Sequence, residues 1–124
     1  MQVLFIQAFA QLLRYDVTLI RHDFATLHAN VHLLPIASRQ PDPADTARIC
    51  RAVAYACIWY LKPVLCLQRS TVAVALLRRY GIHAEMVIGA QRVPLKAHAW
   101  VEVGGRVVND KPEVQHEYLV MERC

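Results

Sequence analysis

The sequence predicts an α+β fold, with helices in the first part of the chain and a small antiparallel sheet in the last. Three observations carry this expectation. Apolar residues recur at helical spacing up to Tyr80. After Gly81 the period changes to two. A Gly104-Gly105 pair then joins two alternating runs, as a hairpin turn does. Helices first and strands afterwards give segregated layers rather than interleaved βαβ units.

The elements follow in order. From Gln2 to Thr18 the polar positions Gln7, Gln11, Arg14 and Thr18 recur at intervals of four, three and four, with apolar residues filling most of the rest. That predicts a helix with one narrow wet stripe, buried or docked on its other sides. A weaker second helix is expected over His22 to Leu34, and Pro35 and the polar stretch Ser38–Pro43 form a loop. Asp42-Pro43-Ala44-Asp45 opens another helix: Asp42 can cap it, Pro43 suits the first turn, and Asp45 favours its positive end. This helix runs to about Leu61, where Lys62-Pro63 stops it. The next runs from about Cys66 to Tyr80, with Arg78 and Arg79 in its last turn and Gly81 just beyond. Ala84–Ile88, Ala97–Val103 and Arg106–Asn109 read as strands.

Composition narrows the classes. The 124 residues suit a single domain, with residues 1–41 a helical N-terminal part and 42–124 the catalytic core. A chain this long needs no metal or disulfide to fold. With 56% hydrophobic and 19% charged residues it is not disordered. The net charge of +4 comes from arginines spread along the chain, so no basic footprint for nucleic acid is concentrated anywhere. The longest strongly apolar run, Ala52–Leu61, is half of a membrane span, and the N-terminus lacks a basic n-region and a cleavage site. Cys50, Cys57, Cys66 and Cys124 contain no C-x-x-C pair, so reduced thiols in a cytoplasmic protein are expected. His28 and His32 are spaced as metal ligands can be, but no third ligand accompanies them, so neither metal nor cofactor is expected.

The chemistry is expected at three residues. Cys66 follows Pro63-Val64-Leu65 at a helix start, where unpaired N–H groups and the dipole favour thiolate. Cys50 and Cys57, seven apart on one apolar helix face, read instead as core. His98 lies among small and apolar strand residues and needs a polar partner. Register decides whether Asp110 supplies it. A two-residue Gly104-Gly105 turn would pair Val103 with Arg106 and turn His98 and Asp110 to opposite faces. A three-residue loop, Val103-Gly104-Gly105, with Gly105 left-handed, places Glu102 opposite Arg106 and Trp100 opposite Val108. It also places His98 opposite Asp110, and the favourable Glu102–Arg106 pair selects it. Sulfur, imidazole and carboxylate are what acyl transfer at an amide carbonyl requires.

The chain order of these residues is that of papain and transglutaminase-like proteins. Cys66-Leu67-Gln68-Arg69-Ser70, Leu76–Ile82, Ile88-Gly89, His98–Glu102 and Val108-Asn109-Asp110 resemble the transglutaminase-like leader peptidases of lasso-peptide biosynthesis. The likeness covers roughly residues 51–110. It implies a papain/transglutaminase-like fold and a cysteine endopeptidase that removes the leader from a lasso-peptide precursor, freeing the core α-amine for a separate ATP-dependent cyclase. It also implies Cys66 as nucleophile, His98 as general base and acid, Asp110 as orienting group, and a small leader-binding protein as partner. The apolar helix over Val3–Ile20 is either that partner's docking site or simply core.

Tyr60 stands where papain-type proteases carry an oxyanion-hole glutamine; the Cys66 N–H with Gln68 or Trp59 is the expected substitute. Arg69 and Ser70 read as structural or leader-contacting, and Trp100 as packing beneath the three. Cys124 reads as incidental. Two other readings stand beside the peptidase: an amidase or transglutaminase-type acyl transferase on the same fold, and a non-catalytic peptide-binding module.

Overall fold

A computed structural model of the chain describes residues 2–21, 29, 31, 33–92 and 94–124. The helices are α1 (Gln2–Arg21), α2 (Asp45–Trp59) and α3 (Cys66–Arg79). Strands β1 (Ala84–Gln91), β2 (Lys96–Val103) and β3 (Arg106–Val107) follow, then the single-turn helix α4 (Val114–Glu117) and strand β4 (Leu119–Arg123). The helix expected over His22–Leu34 falls largely outside the described residues, and His28 and His32 do so entirely.

Local chemistry explains the boundaries. Ahead of α2, the Asp42 carboxylate accepts the Ala44 N–H at 2.8 Å and the Asp45 carboxylate reaches back to the Asp42 N–H at 3.0 Å. This reciprocal pairing satisfies donors that the helix itself cannot. The end of α3 is a Schellman motif: the Ile82 N–H bonds the Leu77 carbonyl and the Gly81 N–H the Arg78 carbonyl. Gly81 has φ +83°, and a Cβ on it would overlap the Arg39 carbonyl oxygen, so both conformation and space demand glycine.

The four strands lie in the order β3-β2-β1-β4, all neighbours antiparallel. One sheet face, through Ala84, Met86 and Val101, packs on α2 and α3 at Ile49, Val53, Val72, Leu76 and Leu77. The other buries Val87 and Trp100 beneath Val114 of α4 and Tyr118. Helix α3 is enclosed almost all round, from Ser70 to Arg78. It is therefore a rigid axis, and a side chain at its first position is placed by the whole core.

Five expectations need correction. The hairpin has a two-residue turn: Val103 faces Arg106 and Glu102 faces Val107. Both Gly104 (φ +59°) and Gly105 (φ +78°) are left-handed, the requirement of a type I′ turn, whose twist matches the strands. Glu102 pairs not with Arg106 but with Arg123 of β4 at 2.8 Å, and also accepts the Trp100 indole N–H at 2.8 Å. The strand expected to reach Asn109 stops at Val107.

On α1 the polar stripe is wet only in part: Arg14 is exposed, but Gln7 and Gln11 are half-buried. Gln7 accepts a hydrogen bond from Tyr80, whereas apolar Val3, Ile6, Leu13 and Val17 face outward. Finally, Cys124 is buried, and its backbone exchanges two 2.9 Å bonds with Met86.

Candidate active site

Cys66 is the first residue of α3, preceded by extended Leu65 (φ −79°, ψ 160°). Gln68, three residues later, returns its Oε1 to the Leu65 N–H at 3.3 Å, while its Nε2 donates to Asp16 of α1 at 3.3 Å. Asp16 also accepts the Tyr60 hydroxyl at 3.1 Å and pairs with Lys62 at 2.7 Å. One carboxylate thus collects donors from both sides of the 63–65 turn and fixes how that turn presents the cysteine. The Lys62 hydrogen bond, aided by those from Tyr60 and Gln68, outweighs partial burial and holds the Asp16 carboxyl below its usual range.

This has a consequence for acid stability. The folded-state value lies below the unfolded one, so the contribution is complete above the ordinary aspartate range near pH ~4 and is lost as pH falls through the folded value. Urea titrations across pH are therefore expected to show an acid limb in the wild type that is shallower in Asp16→Asn, with the two curves displaced most above pH ~4.

His98 lies on β2, and its Nε2 is 2.6 Å from an Asp110 carboxylate oxygen. The ring stacks on Tyr118 at 5.3 Å between centroids and lies 6.1 Å from Trp100, which is fully buried as expected. Gly89 faces His98 across the β1–β2 ladder. A Cβ there would sit 2.8 Å from both Trp100 and Tyr118, so the bare backbone is what admits the two rings that hold the imidazole. Tyr118 had no sequence signal: it follows a helix of four residues and touches His98 only because β4 returns beside β1.

Asp110 is mostly buried. Burial alone would raise its carboxyl, but hydrogen bonds from His98 and the Lys111 N–H, with the charges of His98 and Arg69, hold it below its usual range. The Arg69 guanidinium approaches to 3.7 Å. Ser70 is fully buried within hydrogen bonds, which leaves it no surface for contacting a leader.

Cys66 and His98 line one cleft of about 390 Å³ together with Leu65, Leu67, Ile88, Ala97 and Ala99. Its walls are otherwise apolar. The two side chains expected to assist the Cys66 N–H as oxyanion donors are elsewhere: Gln68 is spent on Leu65 and Asp16, and Trp59 lines a separate groove with Gln2, Phe5, Ile6 and Tyr55. Cys50 and Cys57 sit in the helical core, where burial pushes the Cys50 thiol up to about 11 and raises that of Cys57 against the opposing charge of Arg69. Among the described residues no three His, Cys, Asp or Glu side chains gather as a metal site, and no helix is long and apolar enough to cross a membrane.

A cysteine at the head of a core helix, sharing a cleft with a strand histidine that an aspartate beyond the sheet holds, is the arrangement of transglutaminase-like proteins. The model of the transglutaminase-like superfamily matches residues 9–123, and the chain belongs to that superfamily. It is also similar to the microcin J25-processing protein McjB of Escherichia coli, with 39% identity over 56 residues. That stretch is 45% of this chain and 27% of McjB, so the match spans about a quarter of the relative's length. No solved structure matches.

Proposed function

We propose that this chain is a cysteine peptidase that removes the leader from a lasso-peptide precursor. The observation that carries the reading is the 2.6 Å His98–Asp110 pair opening onto the cleft that Cys66 lines. Similarity to a microcin-processing protein supports the substrate class.

Because Asp110 engages Nε2, the neutral ring carries its proton there and Nδ1 is left as the base. Nδ1 takes the Cys66 proton as sulfur attacks the scissile carbonyl carbon. The resulting oxyanion develops near the N–H groups at the start of α3. The imidazolium then returns its proton to the leaving amine, the C–N bond breaks, and the leader remains as a thioester on Cys66. Water, deprotonated by the same nitrogen, releases the leader as a carboxylic acid and regenerates the thiol. The released core carries the free α-amine that an ATP-dependent cyclase would consume. The outward apolar stripe of α1 is the surface this reading assigns to a small leader-binding protein.

The test is incubation with precursor peptide and its leader-binding protein, read by mass. Leader loss is expected, reduced at least roughly 10³-fold in Cys66→Ala and unchanged in Cys57→Ala. Cleavage that persists in Cys66→Ala overturns the proposal. A mass-neutral or amine-added product assigns the chain to acyl transfer instead.

A further inference from the structure

The ladder between β2 and β3 does not by itself bring Asp110 to His98. Its register pairs Val103 with Arg106 and Glu102 with Val107. It gains one further backbone bond, from the Val108 N–H to the Val101 carbonyl at 3.0 Å. Continued regularly, it would set Asp110 opposite Ala99, on the sheet face away from His98. The observed 2.6 Å contact therefore needs the chain to leave the sheet just before Asp110.

The departure has an identifiable cause. In a regular antiparallel pair the Val101 N–H would return to the Val108 carbonyl. Here it donates instead to the Asn109 side-chain Oδ1 at 2.8 Å. The Asn109 Nδ2 donates in turn to Ser70 Oγ at 3.1 Å, and Ser70 donates to the Ala99 carbonyl at 3.1 Å. Ser70 is fully buried and lies one helical turn beyond Cys66. A single chain of hydrogen bonds thus joins the helix of the cysteine, the strand of the histidine and the residue next to the acid. The carboxamide accepts from the strand through its oxygen and donates to the helix hydroxyl through its nitrogen.

We infer that Asn109 and Ser70 are positioning residues: they replace one rung of the sheet with a side-chain bridge and so deliver the Asp110 carboxylate to His98. The inference rests on the Cys66–His98–Asp110 reading above. Two readouts test it in the full chain. One is the far-downfield proton of the His98–Asp110 hydrogen bond in NMR spectra, assigned by its loss in Asp110→Asn. The other is the pH profile of Cys66 alkylation by iodoacetamide, followed by peptide mass mapping.

Asn109→Ala, at a half-buried position, and Ser70→Ala are each expected to lose the downfield proton while keeping the far-UV circular dichroism of the wild type. Their Cys66 alkylation near neutral pH is expected to fall roughly 10- to 100-fold, along the profile of Asp110→Asn. A retained proton and an unshifted profile in folded Asn109→Ala overturn the inference. An alkylation profile indifferent to His98→Ala and Asp110→Asn overturns the triad reading instead, and the downfield proton alone then decides the role of Asn109.

Discussion

Asp110→Asn is expected to lower kcat for leader removal by roughly 10³- to 10⁴-fold, with KM and folding near wild type. The size follows from the tautomer rather than from lost charge alone. The carboxylate only accepts, so it requires a proton on His98 Nε2 and leaves Nδ1 free to take one from Cys66. An asparagine amide can rotate its NH₂ toward Nε2. The ring is then held with its proton on Nδ1, where it cannot serve as a base, and the imidazolium formed during attack loses its partner. Volume and shape are nearly unchanged, so the buried surroundings, including the Tyr118 stack, should not rearrange. Single-turnover cleavage of the precursor measures the effect directly. His98→Ala combined with Asp110→Asn should be no worse than His98→Ala alone, because the pair acts as one unit. An additive double variant, or a loss below about tenfold in Asp110→Asn, would detach the carboxylate from the chemistry.

The same residues show what local sequence can and cannot convey. Helix ends were legible because their causes are local: Asp42 and Asp45 sit three apart, and Gly81 follows two arginines. The change of period at Gly81 correctly separated helices from sheet. The hairpin register was misread for an equally physical reason. The Glu102–Arg106 attraction favoured a three-residue loop, but a cross-strand charge pair is worth only about 0.2–1 kcal/mol. The twist of a Gly-Gly type I′ turn outweighed it, and Glu102 found Arg123 on a strand that had not been foreseen. Strand β4 is exposed at all five positions, so it lacks the alternation by which strands announce themselves. The His98–Asp110 pair was right although its derivation was not: expected from opposed strand positions, it arises because the chain breaks from the strand at Asn109. Arg69 and Tyr118 approach the acid and the imidazole from elements distant in sequence, and no periodicity encodes such contacts.

Arg78→Met is expected to destabilise the fold by about 3–5 kcal/mol, the largest stability loss of any single side chain discussed. In the sequence Arg78 reads as a basic residue favouring a helix C-terminus. In the structure it is 7% exposed, and its guanidinium donates to four carbonyls: Val31 at 2.7 Å, Cys124 at 2.9 Å, Ala84 at 3.0 Å and Leu34 at 3.4 Å. Those acceptors belong to the 31–34 segment, the start of β1 and the residue after β4. The planar fork with five donors closes three stretches of chain around the end of α3. Methionine matches the stem and its packing but supplies no donor, and backbone carbonyls cannot be deleted in compensation. Replacing a buried ion by an apolar group can be neutral when its partners go too; here all four acceptors stay and each loses a charged donor, the Val31 and Cys124 carbonyls keeping only their backbone bonds from Leu34 and Met86. Arg78→Lys keeps the charge but not the fork, and should recover less than half of the loss. Urea midpoints measure the sizes, and amide exchange at Met86 and Cys124 should accelerate in Arg78→Met beyond the global change. That excess has a route to the site. Cys124 anchors the end of β4. The residues just before β4 carry Tyr118 against His98. Folded Arg78→Lys protein is accordingly expected to cleave more slowly than its stability explains, with the deficit in kcat rather than in KM. A midpoint shift worth less than about 1 kcal/mol in Arg78→Met would mean that water or neighbouring donors already serve these carbonyls.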